Sequence, residues 1–414
     1  MNNVTNARPG EVESAYAYVR LAAALAIMTI GCSGMYSMAV AIPAIQAEFG
    51  STRGGASFAY TLTMVGFSIG GILMGRLADR FGVIVPTLIG ALGLGVGFVL
   101  AGKASTLLEF TLIHGLVIGF LGCSPTFAPL VADTSLWFTK HRGMAVAVCA
   151  SGNYLAGAIW PPVLQHFFDT AGWRSAYIGT GIFCAVSMLL LSAVLYRKPP
   201  VLAATTSAAD ARREALPLGV RPNTLMAMIM IAGIACCVAM SMPQVHIVAY
   251  CGDLGYGAQR GAEMLAIMLG CGIVSRIVSG WISDQIGGIR TLLLGSVLQG
   301  IALLFFLPFD GLVSLYLVSA FFGLVQGGLV PAYAVIVREY FNPRETGVRV
   351  GLALWSTIFG MALGGWLSGV LFDLTGSYRA AFINGIAFNL LNLSIALWLL
   401  SRARGYLLLR PGLR

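Results

Sequence analysis

Gly75-Arg-Leu-Ala-Asp-Arg-Phe-Gly82 and Gly280-Trp-Ile-Ser-Asp-Gln-Ile-Gly287 are one pattern met twice in the chain. Glycine stands first and last in each copy, with aspartate fifth. Each copy follows a long apolar stretch, the second and the eighth along the sequence. A second echo lies at a similar offset: Phe168-Asp169-Thr-Ala-Gly172-Trp-Arg174 against Phe372-Asp373-Leu-Thr-Gly376-Ser-Tyr-Arg379. An even number of crossings separates the copies, so both share one membrane orientation. Parallel repeats of this kind are related by an axis along the membrane normal. The repeat therefore divides the chain into a bundle over 1–196, a polar linker over 197–222 and a second bundle over 223–414.

Composition agrees. The 414 residues are 58% hydrophobic and 10% charged, where soluble chains carry about 25% charged residues. Apolar spans long enough to cross roughly 30 Å of hydrocarbon as helix recur throughout, near 17–43, 56–78, 83–102, 108–132, 143–166, 174–196, 223–250, 261–283, 289–307, 311–337, 346–371 and 379–401. The fold class is an all-α membrane protein of twelve transmembrane helices in two pseudo-symmetric six-helix bundles. The 52 glycines suit helices that pack closely in lipid. Small-xxx-small pairs such as Gly66/Gly70, Gly71/Gly75, Gly115/Gly119 and Gly360/Gly364 are read as such contacts.

The net charge of +9 is topology rather than a nucleic-acid surface. Arg53, Lys103, Arg174, Arg260 and Arg379 fall on one side of the spans, Arg276 lies within one, and the remaining Lys and Arg fall on the other side. The positive-inside rule makes both termini cytoplasmic, in a multi-pass protein of a bacterial-type inner membrane. The first span is too long for a signal peptide and lacks a cleavage-like end, so it is expected to be retained. Eight cysteines (Cys32, Cys123, Cys149, Cys184, Cys236, Cys237, Cys251, Cys271) show no metal-ligand spacing and are read as packing residues.

Charges inside spans are expensive and mark function. Acidic residues fall in loops or near span ends, but Arg276 sits eight residues before Asp284, roughly 12 Å along the helix. That is deep for a snorkelling side chain. A guanidinium fork matches a carboxylate in bidentate fashion, so an anionic substrate is its natural counter-ion. His246 follows Pro243. Proline loosens a helix, and histidine titrates near neutrality, so His246 is the proton-coupling candidate, with His114 behind it. Asp79, Arg80 and Asp284 sit at helix ends and are gating candidates, where a carboxylate can accept from a neighbouring helix N-terminus.

The Gly75–Gly82 loop resembles the loop between helices 2 and 3 of the major facilitator superfamily, and Gly280–Gly287 resembles its counterpart. Trp137-Phe-Thr-Lys-His-Arg-Gly143, His246-Ile-Val-Ala-Tyr-Cys-Gly-Asp-Leu-Gly255, Arg338-Glu-Tyr-Phe and Leu371-Phe-Asp-Leu-Thr-Gly-Ser-Tyr378 resemble the oxalate/formate antiporter and monocarboxylate transporter branch. The resemblance implies that Arg276 anchors the substrate anion. It also implies that helices 1, 4, 7 and 10 line the cavity, which puts Tyr36, Phe127 and Tyr333 in view of substrate. Asn153 and Tyr154 stand where the second repeat has Thr357 and Ile358; polar residues in an apolar span favour a lumen. The chain also departs from the pattern. Gly272 stands where mammalian monocarboxylate transporters carry an aspartate, and the first span has no lysine after Arg20. The eleventh span lacks the lysine of the oxalate antiporter, its nearest basic residue being Arg349.

One deep positive charge suits one carboxylate. The expected function is alternating-access transport of a small, lactate-like monocarboxylate with a proton. The alternative is an organic-anion exchanger of the oxalate/formate type. A cation-driven drug exporter needs an intramembrane carboxylate, and a sensor needs a signalling domain. There is no nucleotide loop, metal cluster or nucleophile–base pair for an enzyme. The expected partners are the small carboxylate, the proton and the lipid bilayer, with no cofactor and no nucleic acid, in a monomer.

Overall fold

Backbone N–H and C=O groups find no water in hydrocarbon, so each span closes its own hydrogen bonds as helix. The structure, a computed structural model, describes residues 12–197 and 220–409. It holds twelve helices long and apolar enough to cross a membrane. In order they are α1 (Ala15–Phe49), α2 (Arg53–Phe81), α3 (Ile84–Lys103), α4 (Leu107–Trp137), α5 (Arg142–Ala171) and α6 (Trp173–Leu195). Then follow α7 (Pro222–Asp253), α8 (Ala258–Ile286), α9 (Gly288–Phe305), α10 (Leu312–Tyr340), α11 (Glu345–Thr375) and α12 (Tyr378–Ala403). No strand occurs among the described residues.

The chain divides into two units, Met1–Phe49 with Leu62–Thr206, and Gly50–Thr61 with Ser207–Arg414. The first turns of α2 therefore count with the second unit, a difference from the boundary at 196 that the repeat suggests. The cause is local, because Asp373 of α11 accepts from the backbone N–H groups of Arg53 and Gly54. The expected linker over 197–222 lies outside the described residues except for Arg197 and its last three positions.

In the first unit three helices are interrupted. α1 breaks at Cys32 and α5 at Ser151. α4 is wound wide as a π-helix over Ile113–Cys123, tightens over Ser124–Thr126 and resumes at Ala128. Pro125 and Pro129 each remove a backbone donor there, and such irregular backbone recurs at functional sites. Close packing contributes too. A Cβ on Gly66 would collide with Gly115 O, and one on Gly119 with Thr63 O, so α2 and α4 touch backbone to backbone. Gly71 and Gly75 correct the expectation, since each has open space where a Cβ would stand.

The second unit carries the matching interruption in α10, which stops at Gln326 and resumes at Leu329. Gly327 and Gly328 press on α8 so closely that a Cβ would strike Gly272 O and the Ser279 side chain. α7, by contrast, runs unbroken through Pro243, against the loosening expected there. Charged side chains tie the helix ends. Glu48 binds Arg174 Nη2 at 2.5 Å and also accepts from Trp173 Nε1. Glu13, ahead of α1, accepts from His141 N at 2.8 Å; that backbone hydrogen bond holds its carboxyl below the usual carboxylate range. The cysteines are free, Cys271 half-buried and the rest buried.

Candidate functional site

Arg276 lies in α8 ten residues before Ile286, about 15 Å from that helix end, and is half-buried. The interruption of α10 sits on the same stretch of α8. Gly327 N donates to Ser275 Oγ at 3.1 Å, and Gly328 abuts Ser279, so the break brackets Arg276. The second segment of α10 begins there, and the first N–H groups of a helix have no intrahelical acceptor. The backbone of Arg276, whose N lies 2.9 Å from where a Cβ on Gly327 would stand, thus passes the positive end of a helix macrodipole, a neighbourhood that favours an anion.

The first unit gathers its own candidates around its interruptions. Tyr36 Oη, four residues past the break in α1, donates to Asn153 Oδ1 at 2.5 Å, two residues past the break in α5. Both are half-buried, whereas Tyr154 is buried at 7% exposure. Phe127 sits at the break of α4, half-buried, its ring 6.2 Å from that of Phe67. Tyr36, Asn153 and Phe127 therefore stand on or at broken helices of the first unit, and Arg276 on unbroken α8 of the second, beside the break in α10.

Tyr333 is a correction. It is 1% exposed, and its hydroxyl lies 2.9 Å from both Ala232 O and Asn392 Oδ1. Asn392 Nδ2 in turn donates to Ser296 Oγ at 2.7 Å. The hydroxyl is spent inside the packed second unit rather than offered to a substrate. Tyr333→Phe is accordingly expected to cost about 1 kcal/mol of stability, seen as a lower melting temperature, with the substrate concentration for half-maximal uptake unchanged.

His246 is fully buried, with Nε2 2.7 Å from Gly365 O and Nδ1 2.9 Å from Tyr378 Oη. His114 is also fully buried, its Nδ1 3.3 Å from Thr63 Oγ1. Of the gating candidates, Asp79, Arg80 and Asp284 are all exposed. Asp79 and Arg80 edge a cavity of 1260 Å³ within the first unit, together with Arg20, Asp133 and Arg197. Arg276 is not among the residues that line this cavity. The helix-capping role expected of Asp284 falls instead to Glu339, whose carboxylate accepts from Gly288 N at 3.1 Å. Glu339 lies on α10, close enough in space to reach the start of α9, while Asp284 points its charge at solvent from the preceding turn.

Besides the pairing of Glu48 with Arg174, sequence reasoning missed two further ion pairs. Arg20 Nε and Nη2 donate to the two oxygens of Asp133, each at 2.9 Å, with the guanidinium 4.7 Å above the Trp137 ring. Arg53 is joined to Asp253, Tyr378 and Phe372. A basic and an acidic residue near the ends of different spans was the available signal, but sequence separation hid the pairing.

A model of the Major Facilitator Superfamily matches residues 22–318 and 264–411. Among curated relatives, monocarboxylate transporter 13 of Rattus norvegicus is 27% identical over 335 residues, 80% of this chain and 76% of that protein. Monocarboxylate transporter 11 of Homo sapiens is 27% identical over 390 residues, 90% of this chain and 81% of that protein. Of solved structures, the nucleoside transporter NupG aligns with a TM-score of 0.73 at 14% identity, covering 93% of this chain and 99% of that one. A bacterial homolog of the human lysosomal transporter Spinster, inward-facing and occupied, aligns with a TM-score of 0.70 at 15% identity, covering 94% and 97%. At such identities the structural likeness concerns the fold. The chain belongs to the major facilitator superfamily and is a membrane transporter, similar in sequence to monocarboxylate transporters 13 and 11.

Proposed function

We propose that this transporter carries a small, lactate-like monocarboxylate by alternating access across a bacterial-type inner membrane, in symport with a proton, with both termini cytoplasmic. The observation that carries the proposal is Arg276, half-buried some three turns inside α8 and bracketed by the break in α10. The names of the curated relatives support the carboxylate. Arg349, the basic residue that a dicarboxylate exchanger would need nearest in α11, is bound to Glu345 at 2.7 Å. One deep charge then suits a single carboxylate. Moving a proton with the anion keeps the step electroneutral and avoids about 2.3 kcal/mol per charge per 100 mV of membrane potential.

The test is uptake of radiolabelled lactate into proteoliposomes. An inward proton gradient is expected to accelerate uptake, a protonophore to slow it, and the external medium to turn alkaline as substrate enters. Equal rates with and without the gradient, together with a strong dependence on internal carboxylate, would replace symport by exchange. No uptake of any monocarboxylate would remove the proposal.

A further inference from the structure

Arg53 opens α2 and is 8% exposed. Its Nη1 donates to Asp253 Oδ2 at 2.9 Å and its Nη2 to Asp253 Oδ1 at 3.1 Å. Its guanidinium lies 4.4 Å from the centre of the Phe372 ring. Its backbone N–H and that of Gly54 donate to the two oxygens of Asp373 at 2.8 and 2.7 Å, so one carboxylate closes the open N-terminus of α2. Arg53 Nη1 also donates to Tyr378 Oη at 2.8 Å, and that hydroxyl lies 2.9 Å from His246 Nδ1. All of these residues belong to the second unit, yet α2 continues beyond Thr61 into the first.

The protons along this chain of contacts can be placed. Gly365 O only accepts, so His246 Nε2, 2.7 Å away, carries hydrogen. The Tyr378 oxygen accepts from Arg53, and its own proton goes to His246 Nδ1, the acceptor nitrogen of a neutral ring. His246 is the neutral Nε2–H tautomer here. A proton arriving at Nδ1 turns that acceptor into a donor. Tyr378 Oη then faces two cationic donors, and its own hydrogen loses its acceptor. Imidazolium and guanidinium repel across a single hydroxyl.

We propose that Arg53, Tyr378 and Asp253 are positioning residues that read the charge of His246: a proton taken up at Nδ1 unseats Arg53 and frees the first turns of α2 from the second unit. The inference rests on the proton-coupled reading above and gives it a moving part. The charged and titratable groups around His246 are Tyr378 from α12, Asp373 from α11, Arg53 and Tyr60 from α2, and Tyr250 and Asp253 from α7. With Arg53 seated, both aspartates are committed to α2. Once it leaves, they are released as counter-charges for the imidazolium, so protonation and release favour each other. Alternating access in such folds runs by rocking or gating of one repeat, and a helix end held by a charge-sensitive contact is a part that such gating can use.

Hydrogen exchange of the backbone amides over 53–61 tests this in the full-length, substrate-free protein. Between about pH 8 and about pH 5, either side of the ordinary histidine range, exchange corrected for its intrinsic rate is expected to quicken on the order of tenfold, the equivalent of one pKa unit of coupling. His246→Gln should flatten this step, and Tyr378→Phe, which keeps the ring and removes the relay, should shrink it. A wild type without the step, or a step of full size in either folded variant, overturns the inference. The readout is separate from transport. Wild-type uptake indifferent to a proton gradient, with the exchange step intact, would remove symport and leave the latch standing.

Discussion

Arg276→Ala is expected to abolish carboxylate uptake while the purified variant still elutes as wild type does. The substitution removes a half-buried positive charge from a membrane helix, where charges are expensive. Arg276→Lys keeps the charge but loses the planar fork. Losing one charge-assisted hydrogen bond of a bidentate pair costs about 1.5–3 kcal/mol, so substrate affinity should fall about 10- to 100-fold. The measurements are substrate binding and proteoliposome uptake on variants checked for monodispersity. Near wild-type transport by Arg276→Ala would return this arginine to a snorkelling role and leave the carboxylate resting on relatives' names.

Asp133→Ala should produce the largest loss of stability. Arg20 and Asp133 side chains are 3% and 8% exposed and meet through two parallel hydrogen bonds. Removing the carboxylate strands a buried guanidinium, a change that costs about 3–5 kcal/mol. Replacing both residues by leucine leaves no stranded charge and should cost less than Asp133→Ala alone. Thermal unfolding of the two variants and wild type in one detergent decides this. A double variant at least as unstable as Asp133→Ala would mean that the pair contributes packing, through the guanidinium's contact with Trp137, rather than charge compensation.

The twelve helices and their order were legible because hydrocarbon imposes length and apolarity on every span, and the Gly75–Gly82 and Gly280–Gly287 copies fixed their parallel repeat. Arg276 was legible for the same reason, as a charge where charges are costly. Tyr333 was misread because a polar residue in an apolar span signals only that it avoids lipid. Its hydroxyl lies within hydrogen-bond distance of Asn392 Oδ1 and Ala232 O inside the bundle, which periodicity does not distinguish from facing a lumen. Arg53 looked like a loop charge because its partners, Asp253 and Tyr378, stand 200 and 325 residues away. The break at Gly327–Gly328 had a visible glycine pair, and that at Cys32 lies between Gly31 and Gly34, but that Thr126 from another helix crowds Gly31 was visible only in the structure.

If a single negative charge on a small substrate is what this transporter recognises, matched charged and uncharged ligands will differ in how far they stabilise the purified wild type against heat. A ligand that binds the folded state raises its apparent stability with concentration. Lactate and similar monocarboxylates should raise the melting temperature, and lactamide, the uncharged amide of the same shape, should not. Stabilisation by lactamide equal to that by lactate, or stabilisation by lactate undiminished in Arg276→Ala, would contradict the account.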